Sequence, residues 1–341
     1  MTGGMDRDDL AMICEGLERI FADAPLEKID HAQSAGDEAQ ALWATIADNG
    51  YTMLCASEEH GGFGGSLADG CVLAMLGARH ALAAPLADTV LAAGLLSACG
   101  IEPPQLKMGL ADPFDEGAPI AHGAQLDAVL VLKDGNLRLE PADQLDLEPA
   151  PGAEDGAAYR TRSADSAIVE VSAPNWLTGK ALNALGALVR AAKMAGAMQA
   201  VLDITLHYTS EREQFGRPLS KFQAIQHHLS DIACETAASI AAVELASDAL
   251  AADPDCGGAV MDEIAIAKIR CGQAAARVAA GAHQAHGAMG FTYEYSLGRF
   301  TRRLWQWQDE FGSETEWAIR LGNNVLSDAQ PSLWPRISAP L

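Results

Sequence analysis

The sequence predicts a mostly α-helical protein in which a small β module separates two helical domains. Ala and Leu dominate the 49% of residues that are apolar, and these residues cost least in a helix. Apolar residues recur at helical spacing over long stretches in both halves of the chain. Between Pro103 and Pro174 the composition changes: Pro, Gly and Asp become frequent, and short runs of alternating apolar and polar residues appear. A chain of 341 residues is long enough for two or three modules that share a large core.

The N-terminal helical domain is predicted over residues 1–110. Residues 6–22 place Leu10, Ile13, Leu17 and Ile20 at helical spacing. A second apolar stretch over residues 67–100 is interrupted only at Pro85. Between them lies SEEHGGFGG, residues 57–65. This Gly-rich segment forms no GxGxxG pattern and has no clear βαβ unit around it, so it predicts a turn between helices rather than a phosphate loop.

A shortened β module is predicted over residues 111–178. The alternating runs LDAVLVL and NLRLEP flank Lys133-Asp134-Gly135, and Asp-Gly between two such runs is a hairpin signal. The segment SAIVEV, residues 166–171, predicts a further strand.

The C-terminal domain, residues 179–341, is predicted to be a four-helix bundle. Long amphipathic helices are expected over residues 181–208, 222–250 and 259–286, with a fourth before and a fifth after the loop at 309–312. Ser313 and Glu316 form a capping box, which predicts a helix start there. Long helices with short connections favour an antiparallel bundle.

Charge and composition exclude several classes of function. A net charge of −23 argues against nucleic acid, because phosphate binding needs a basic footprint. Seven scattered cysteines without a CxxC pair are typical of reduced thiols. The acidic N-terminus does not resemble a signal peptide, and no stretch suggests a membrane span, so we expect a cytoplasmic protein. His283 and His286 are three residues apart, but no third ligand joins them, and no metal site is predicted.

Three segments point to a specific function. The first is REQFGRPL, residues 212–219, followed by Phe222-Gln223 at the junction of two long helices. An arginine beside a helix N-terminus suits a pyrophosphate, although a solvated helix end is the commoner explanation. The second is HQAHGAMGFT, residues 283–292. The third is GRFTRR, residues 298–303, leading to DEFGSE at residues 309–314.

In this order and spacing, the three segments resemble the acyl-CoA dehydrogenase family. The resemblance is strong over residues 181–326 and weaker over residues 50–100. It implies an N-terminal helical domain, a middle β domain and a C-terminal four-helix bundle, with FAD shared between subunits. The RxQFG and QxxGxxG segments of one subunit then hold the ADP half of a flavin whose isoalloxazine lies in the neighbour. By position, the implied cofactor contacts are Arg212, Gln214, Phe222, Gln223, Gln284 and Gly287. Ala288 stands where many members have a second glycine.

The resemblance also implies a reaction, the α,β-dehydrogenation of an acyl-CoA thioester, for which this sequence lacks parts. A carboxylate removes the α-proton while hydride leaves for the flavin. Phe311 occupies the usual position of that base, and Gln273 occupies the position used by other members. Glu310, one residue from the usual position, is the remaining candidate, so no catalytic residue is secure. The middle region also lacks the family's T-E-x-x-x-G-S-D segment, which cradles the isoalloxazine.

The pattern of retained and lost segments is similar to that of the shortened subunits of heteromeric, α2β2-type bacterial acyl-CoA dehydrogenases. We therefore expect this chain to give the ADP half-site for FAD to a longer homologous subunit. The implied partners are that subunit, an acyl-CoA substrate and an electron-transfer flavoprotein as acceptor. Two alternatives stay open. One is a self-sufficient homodimer with Glu310 as base. The other is a purely structural subunit without FAD contact.

Overall fold

The computed structural model describes residues 5–26, 36–151, 154, 156–292 and 294–327. Four helices form the N-terminal part: α1 (Arg7–Asp23), α2 (Asp37–Asp48), α3 (Leu67–Arg79) and α4 (Leu86–Ala98). Asp6 caps α1 by accepting a hydrogen bond from the Asp8 N–H. Pro85 separates α3 from α4 as predicted, and residues 57–65 form a turn that includes one short 3₁₀ helix, Glu58–His60.

The β module is small. Its strands are β1 (Met108–Leu110), β2 (Ala128–Lys133), β3 (Asn136–Pro141), β4 (Leu147–Pro149), β5 (Ala158–Arg160) and β6 (Val169–Ser172). One sheet has the order β1-β2-β3-β6, in which only the β1–β2 pair is parallel, and β4 pairs with β5 separately. The predicted hairpin turn is confirmed: Asp134 and Gly135 have φ of 51° and 77°, the two positive values that a type I′ turn requires.

The sheet starts slightly upstream of the expected β module, and its last strand starts three residues later than expected. The sheet begins at Met108, upstream of residue 111, because the buried run of β1 pairs with β2. The last strand begins at Val169 rather than residue 166, since its pairing with β3 starts where Val169 faces Leu139.

The C-terminal part contains α5 (Gly179–Glu211), a hairpin of β7 (Glu213–Gln214) and β8 (Arg217–Pro218), α6 (Gln223–Ala252), α7 (Gly258–His286), α8 (Leu297–Asp309) and α9 (Glu314–Ser327). The Ser313–Glu316 capping box is present, with each side chain bonded to the other residue's backbone N–H. Helices α5, α6 and α7 pack on one another, α8 packs on α5 and α7, and α9 packs on α7. The predicted mostly helical fold is confirmed.

Helix α5 corrects one expectation. We expected no stretch that could span a membrane, but this helix is long and apolar enough by composition to cross a bilayer. However, 89% of its most apolar 18-residue window is buried in the protein, as in the core helix of a soluble domain. Its length and apolar character therefore serve the core between the N-terminal helices and the bundle.

Candidate functional site

The first candidate region is the junction between α5 and α6. Arg212 is the C-terminal cap of α5, and its backbone accepts a hydrogen bond from the N–H of Leu219 across the β7–β8 hairpin. Phe215 at the hairpin tip has a φ of 53° and is 92% exposed. The predicted contacts Arg212, Gln214 and Gln223 are all exposed, and Phe222 is half-buried.

The start of α6 gives this region a positive character. Phe222 precedes α6 without a side-chain cap, so the backbone N–H groups of the first helical turn keep their capacity to bind an anion. The guanidinium of Arg217 lies 4.2 Å from the centroid of the Phe222 ring. Arginine side chains beside a free helix N-terminus form a surface suited to a phosphate group.

The second segment, at the end of α7, lies against the first. The rings of Tyr208 on α5 and His286 on α7 stack with centroids 4.3 Å apart. Arg212 follows Tyr208 by one helical turn, and Gly287 follows His286 directly. Gly287 has φ 59° and ψ −140°, a backbone conformation nearly restricted to glycine, while a Cβ there would meet nothing within 4 Å. Gln284 is exposed. The fold thus brings the two predicted segments together as an open surface.

The third segment differs from the first two, whose predicted cofactor contacts are mostly exposed, because the loop that follows α8 is largely buried. Glu310 is only 8% exposed. Its Oε2 accepts a hydrogen bond from Nε of Arg190 at 2.6 Å, and its Oε1 accepts one from Nε2 of Gln306, also at 2.6 Å. The two terminal nitrogens of the same guanidinium donate to the carboxylate of Asp88 on α4. Arg190 therefore joins two buried carboxylates.

Phe311 fills the space beside this cluster. It has a φ of 57°, its side chain is buried, and its ring centroid lies 4.7 Å from the Arg190 guanidinium. A Cβ on Gly186 would lie 2.3 Å from a ring carbon of Phe311, so α5 needs glycine at that position to admit the ring. Gly186 and Arg190 are four residues apart and share one face of α5.

Little free volume remains near these side chains. Asp88, His122, Lys193 and Trp307 line a cavity of about 20 Å³. That volume holds roughly one water molecule. The Lys193 ammonium lies 4.3 Å from the Trp307 ring centroid. This part of the described structure offers no room for a flavin ring or an acyl chain.

The ionisation of the cluster follows from its burial and its partners. Burial alone would raise the pKa of Asp88, but Arg190 and Lys193 hold it below its usual value. Burial opposes the charge of Arg190, yet Asp88 and Glu310 raise its pKa above the usual value. Lys268 on α7 differs, because burial dominates there and lowers its pKa to about 7. Its Nζ donates to the carbonyl oxygens of Trp307 and Gln308 at the end of α8.

The buried charges Asp88, Arg190, Lys193 and Lys268 were not singled out from sequence. A signal was present for three of them: Asp88 stands alone in the apolar run 82–98, Arg190 and Lys193 are the charges of the apolar run 181–202, and a buried charge needs a partner. Gln273, the alternative base position, is exposed on α7. Among the described residues no cluster of three or more metal-ligating side chains occurs.

The three-part, mostly helical fold is that of acyl-CoA dehydrogenase structures. Residues 180–305 match the family model "Acyl-CoA dehydrogenase, C-terminal domain", and the proteins that the chain is similar to are acyl-CoA dehydrogenases, which are FAD-dependent oxidoreductases.

Known relatives agree. The chain is 27% identical over 278 residues to acyl-CoA dehydrogenase IpdE2 of Mycolicibacterium smegmatis, which covers 77% of this chain and 80% of the relative. It is 28% identical over 313 residues to acyl-CoA dehydrogenase FadE34 of Mycobacterium tuberculosis, covering 84% of this chain but 42% of that relative.

Solved structures share the fold. A steroid acyl-CoA dehydrogenase variant, Tcur3481–Tcur3483 G363A, matches with a TM-score of 0.76 at 22% identity, covering 94% of this chain and 98% of that chain. The ChsE4–ChsE5 complex from Mycobacterium tuberculosis matches with a TM-score of 0.75 at 20% identity, covering 97% and 100%. Each of these two structures carries the names of two proteins.

Proposed function

We propose that this chain is the non-catalytic, FAD-sharing subunit of a heteromeric acyl-CoA dehydrogenase. It gives the ADP half-site to a longer homologous subunit that carries the catalytic base and the isoalloxazine site. The observation that carries the proposal is the contrast between its two regions. The helix-end segments are open, whereas the loop of the expected base is filled by Glu310, Phe311 and Arg190.

The chemistry explains why a filled loop is incompatible with catalysis. A base that takes a proton from carbon needs a free carboxylate oxygen directed at the substrate. Both oxygens of Glu310 accept short hydrogen bonds, and one comes from a buried guanidinium. Such bonding occupies both oxygens and holds them toward protein groups rather than toward a substrate. Phe311 has no group that accepts a proton.

In this proposal the chain's own residues bind and orient the cofactor. FAD, when bound, accepts the hydride in the partner's site. Arg212 and the N-terminus of α6 neutralise the pyrophosphate, and Gln214 and Gln223 donate hydrogen bonds from their amides. Phe222 offers an aromatic face. Gln284 and the backbone at Gly287 approach from the end of α7.

Assembly and substrate class rest on the relatives. The fold matches chains from a steroid acyl-CoA dehydrogenase and from a two-protein complex, which supports a hetero-oligomer and a bulky acyl-CoA substrate such as a steroid side-chain ester. An electron-transfer flavoprotein is the proposed acceptor, and the cytoplasm is the proposed location.

The two alternatives are disfavoured on specific grounds. A homodimer that uses Glu310 as base would first have to break the bond to Arg190 and leave that guanidinium half-paired in the core. A purely structural subunit gives no reason for the exposed Arg212 and Gln284 and for the glycine conformation of Gly287 on neighbouring helix ends.

Substitution at Arg212 tests the proposal. The Arg212→Ala variant, co-expressed with the longer homologue, should bind FAD about tenfold or more weakly, because a charge-assisted bond contributes about 1.5–3 kcal/mol. Arg7→Ala, which removes an exposed charge on α1, is the control and should bind FAD normally. Equal FAD affinity in both variants would refute the assigned half-site.

A further inference from the structure

The two halves of the proposed ADP surface come from helices that are distant in sequence. Tyr208 and His286 are 78 residues apart, yet the Tyr208 hydroxyl donates to the backbone carbonyl of His286 at 3.4 Å. That carbonyl lies at the end of α7, where helix carbonyls lack intrahelical partners. Together with the ring stack, this bond ties the end of α5 to the end of α7.

Hydrogen bonds on both ring nitrogens fix the orientation of His286. Nδ1 lies 2.8 Å from the carbonyl oxygen of Ala282, which can only accept, so Nδ1 carries the proton. Burial lowers the pKa of His286, which favours the neutral ring. Nε2 then accepts from the hydroxyl of Tyr295 at 3.2 Å. Tyr295 also packs edge-on against Tyr208, with centroids 5.9 Å apart.

We propose that Tyr208, His286 and Tyr295, here called the aromatic clamp, are positioning residues that set the spacing between Arg212 and the Gln284–Gly287 segment. The inference rests on the proposed function, because it assigns the clamp a role in FAD affinity. His286 immediately precedes Gly287, and Tyr208 lies one turn before Arg212, so a shift of either ring moves a cofactor-binding group. A bound dinucleotide needs both segments at a fixed separation.

The test compares Tyr208→Ala with Tyr208→Phe in the assembled heteromer. Tyr208→Ala removes both the stack and the hydrogen bond to the His286 carbonyl and should weaken FAD binding about five- to tenfold. Tyr208→Phe keeps the ring and should restore affinity to within about twofold, because it loses only a long hydrogen bond. At saturating FAD the visible flavin spectrum should be unchanged in both variants, since the isoalloxazine sits in the partner.

The outcomes separate this inference from the proposed function. Weak FAD binding by Arg212→Ala with normal binding by Tyr208→Ala would overturn the clamp and keep the half-site. Normal binding by both variants would overturn both. If Tyr208→Ala does not assemble, Tyr295→Phe, which removes only the hydroxyl donor to His286, should still weaken FAD binding about twofold to fivefold. Unchanged affinity there would also count against the clamp.

Discussion

Arg190 donates from Nε to Oε2 of Glu310 at 2.6 Å, across 120 residues of sequence. The same guanidinium pairs with Asp88, so one cation on α5 holds α4 and the loop after α8 together. All three side chains are buried. The acid next to the expected base position is thus a structural group in this chain.

Removal of Arg190 should destabilise the protein strongly. Arg190→Leu leaves Asp88 and Glu310 buried without their cation, which should cost about 3–5 kcal/mol of the free energy of unfolding. Arg19→Ala, which breaks the exposed pair with Glu15, should cost less than about 0.5 kcal/mol. Urea unfolding of both variants measures the difference. A small loss for Arg190→Leu would show that the cluster is solvated.

Restoring a carboxylate at position 311 should not create a dehydrogenase. In Phe311→Glu the new acid would lie beside the Arg190 guanidinium, 4.7 Å from the present ring centroid, and would pair with it. The cavity at Asp88 and Trp307 would still be too small for an acyl chain. Dye-linked acyl-CoA oxidation by the purified variant should equal the blank. Activity above that level would mean that the site opens readily.

Substitution of Gln306 should raise hydrogen exchange in the loop at residues 309–312 more than substitution of its neighbour Gln308. The Gln306 amide accepts from the Glu154 N–H and donates to Glu310, both at 2.6 Å, so it links the β module to the closed loop. Gln306→Glu cannot donate when ionised and adds a charge beside Glu310, so hydrogen exchange at residues 309–312 should rise, more at pH 8 than at pH 5.

Gln308→Glu is the matched control. The Gln308 side chain donates to the carbonyl of Gly272, whereas that of Gln306 donates to Glu310. Its substitution should leave exchange at residues 309–312 close to that of the unmodified chain. Equal effects of the two substitutions would argue against a specific link through Gln306.

Lys268 should make stability depend on pH above neutrality. Its pKa falls from 10.5 to about 7 on folding, so the unfolded chain binds more protons between these values. Stability should therefore rise with pH from about 7, by at most about 1.4 kcal/mol per unit. Lys268→Met should remove this rise between pH 7 and 8.5, below the titration of the buried thiols. Parallel pH profiles for the two proteins would contradict the assignment.

How far the sequence predicted the fold depends on the kind of signal. Apolar spacing and the breaks at Pro85 and Asp134-Gly135 located the helices and the hairpin, because these signals are local. The buried cluster was missed because pairing of Asp88 with Arg190 depends on how α4 packs on α5. Charges within apolar runs hinted at it, but spacing alone does not show which partner a charge meets.

The candidate site was also predictable only in part. The residues assigned through the family resemblance, among them Arg212 and Gln284, lie on adjacent helix ends. The stack of Tyr208 on His286 that joins those ends could not be read from either segment, since it forms only when α5 and α7 meet. The role of each residue toward FAD stays a prediction.

The most direct test of the central claim is to count flavin and activity in the chain alone and in its complex. Purified alone, the chain should hold little FAD and show no acyl-CoA dehydrogenation. Co-purified with the longer homologue, it should form a heteromer with one FAD for each copy of this chain, because only one of the two related sites combines an open ADP surface with a flavin site. Robust activity of the single chain, abolished by Glu310→Gln, would contradict the account.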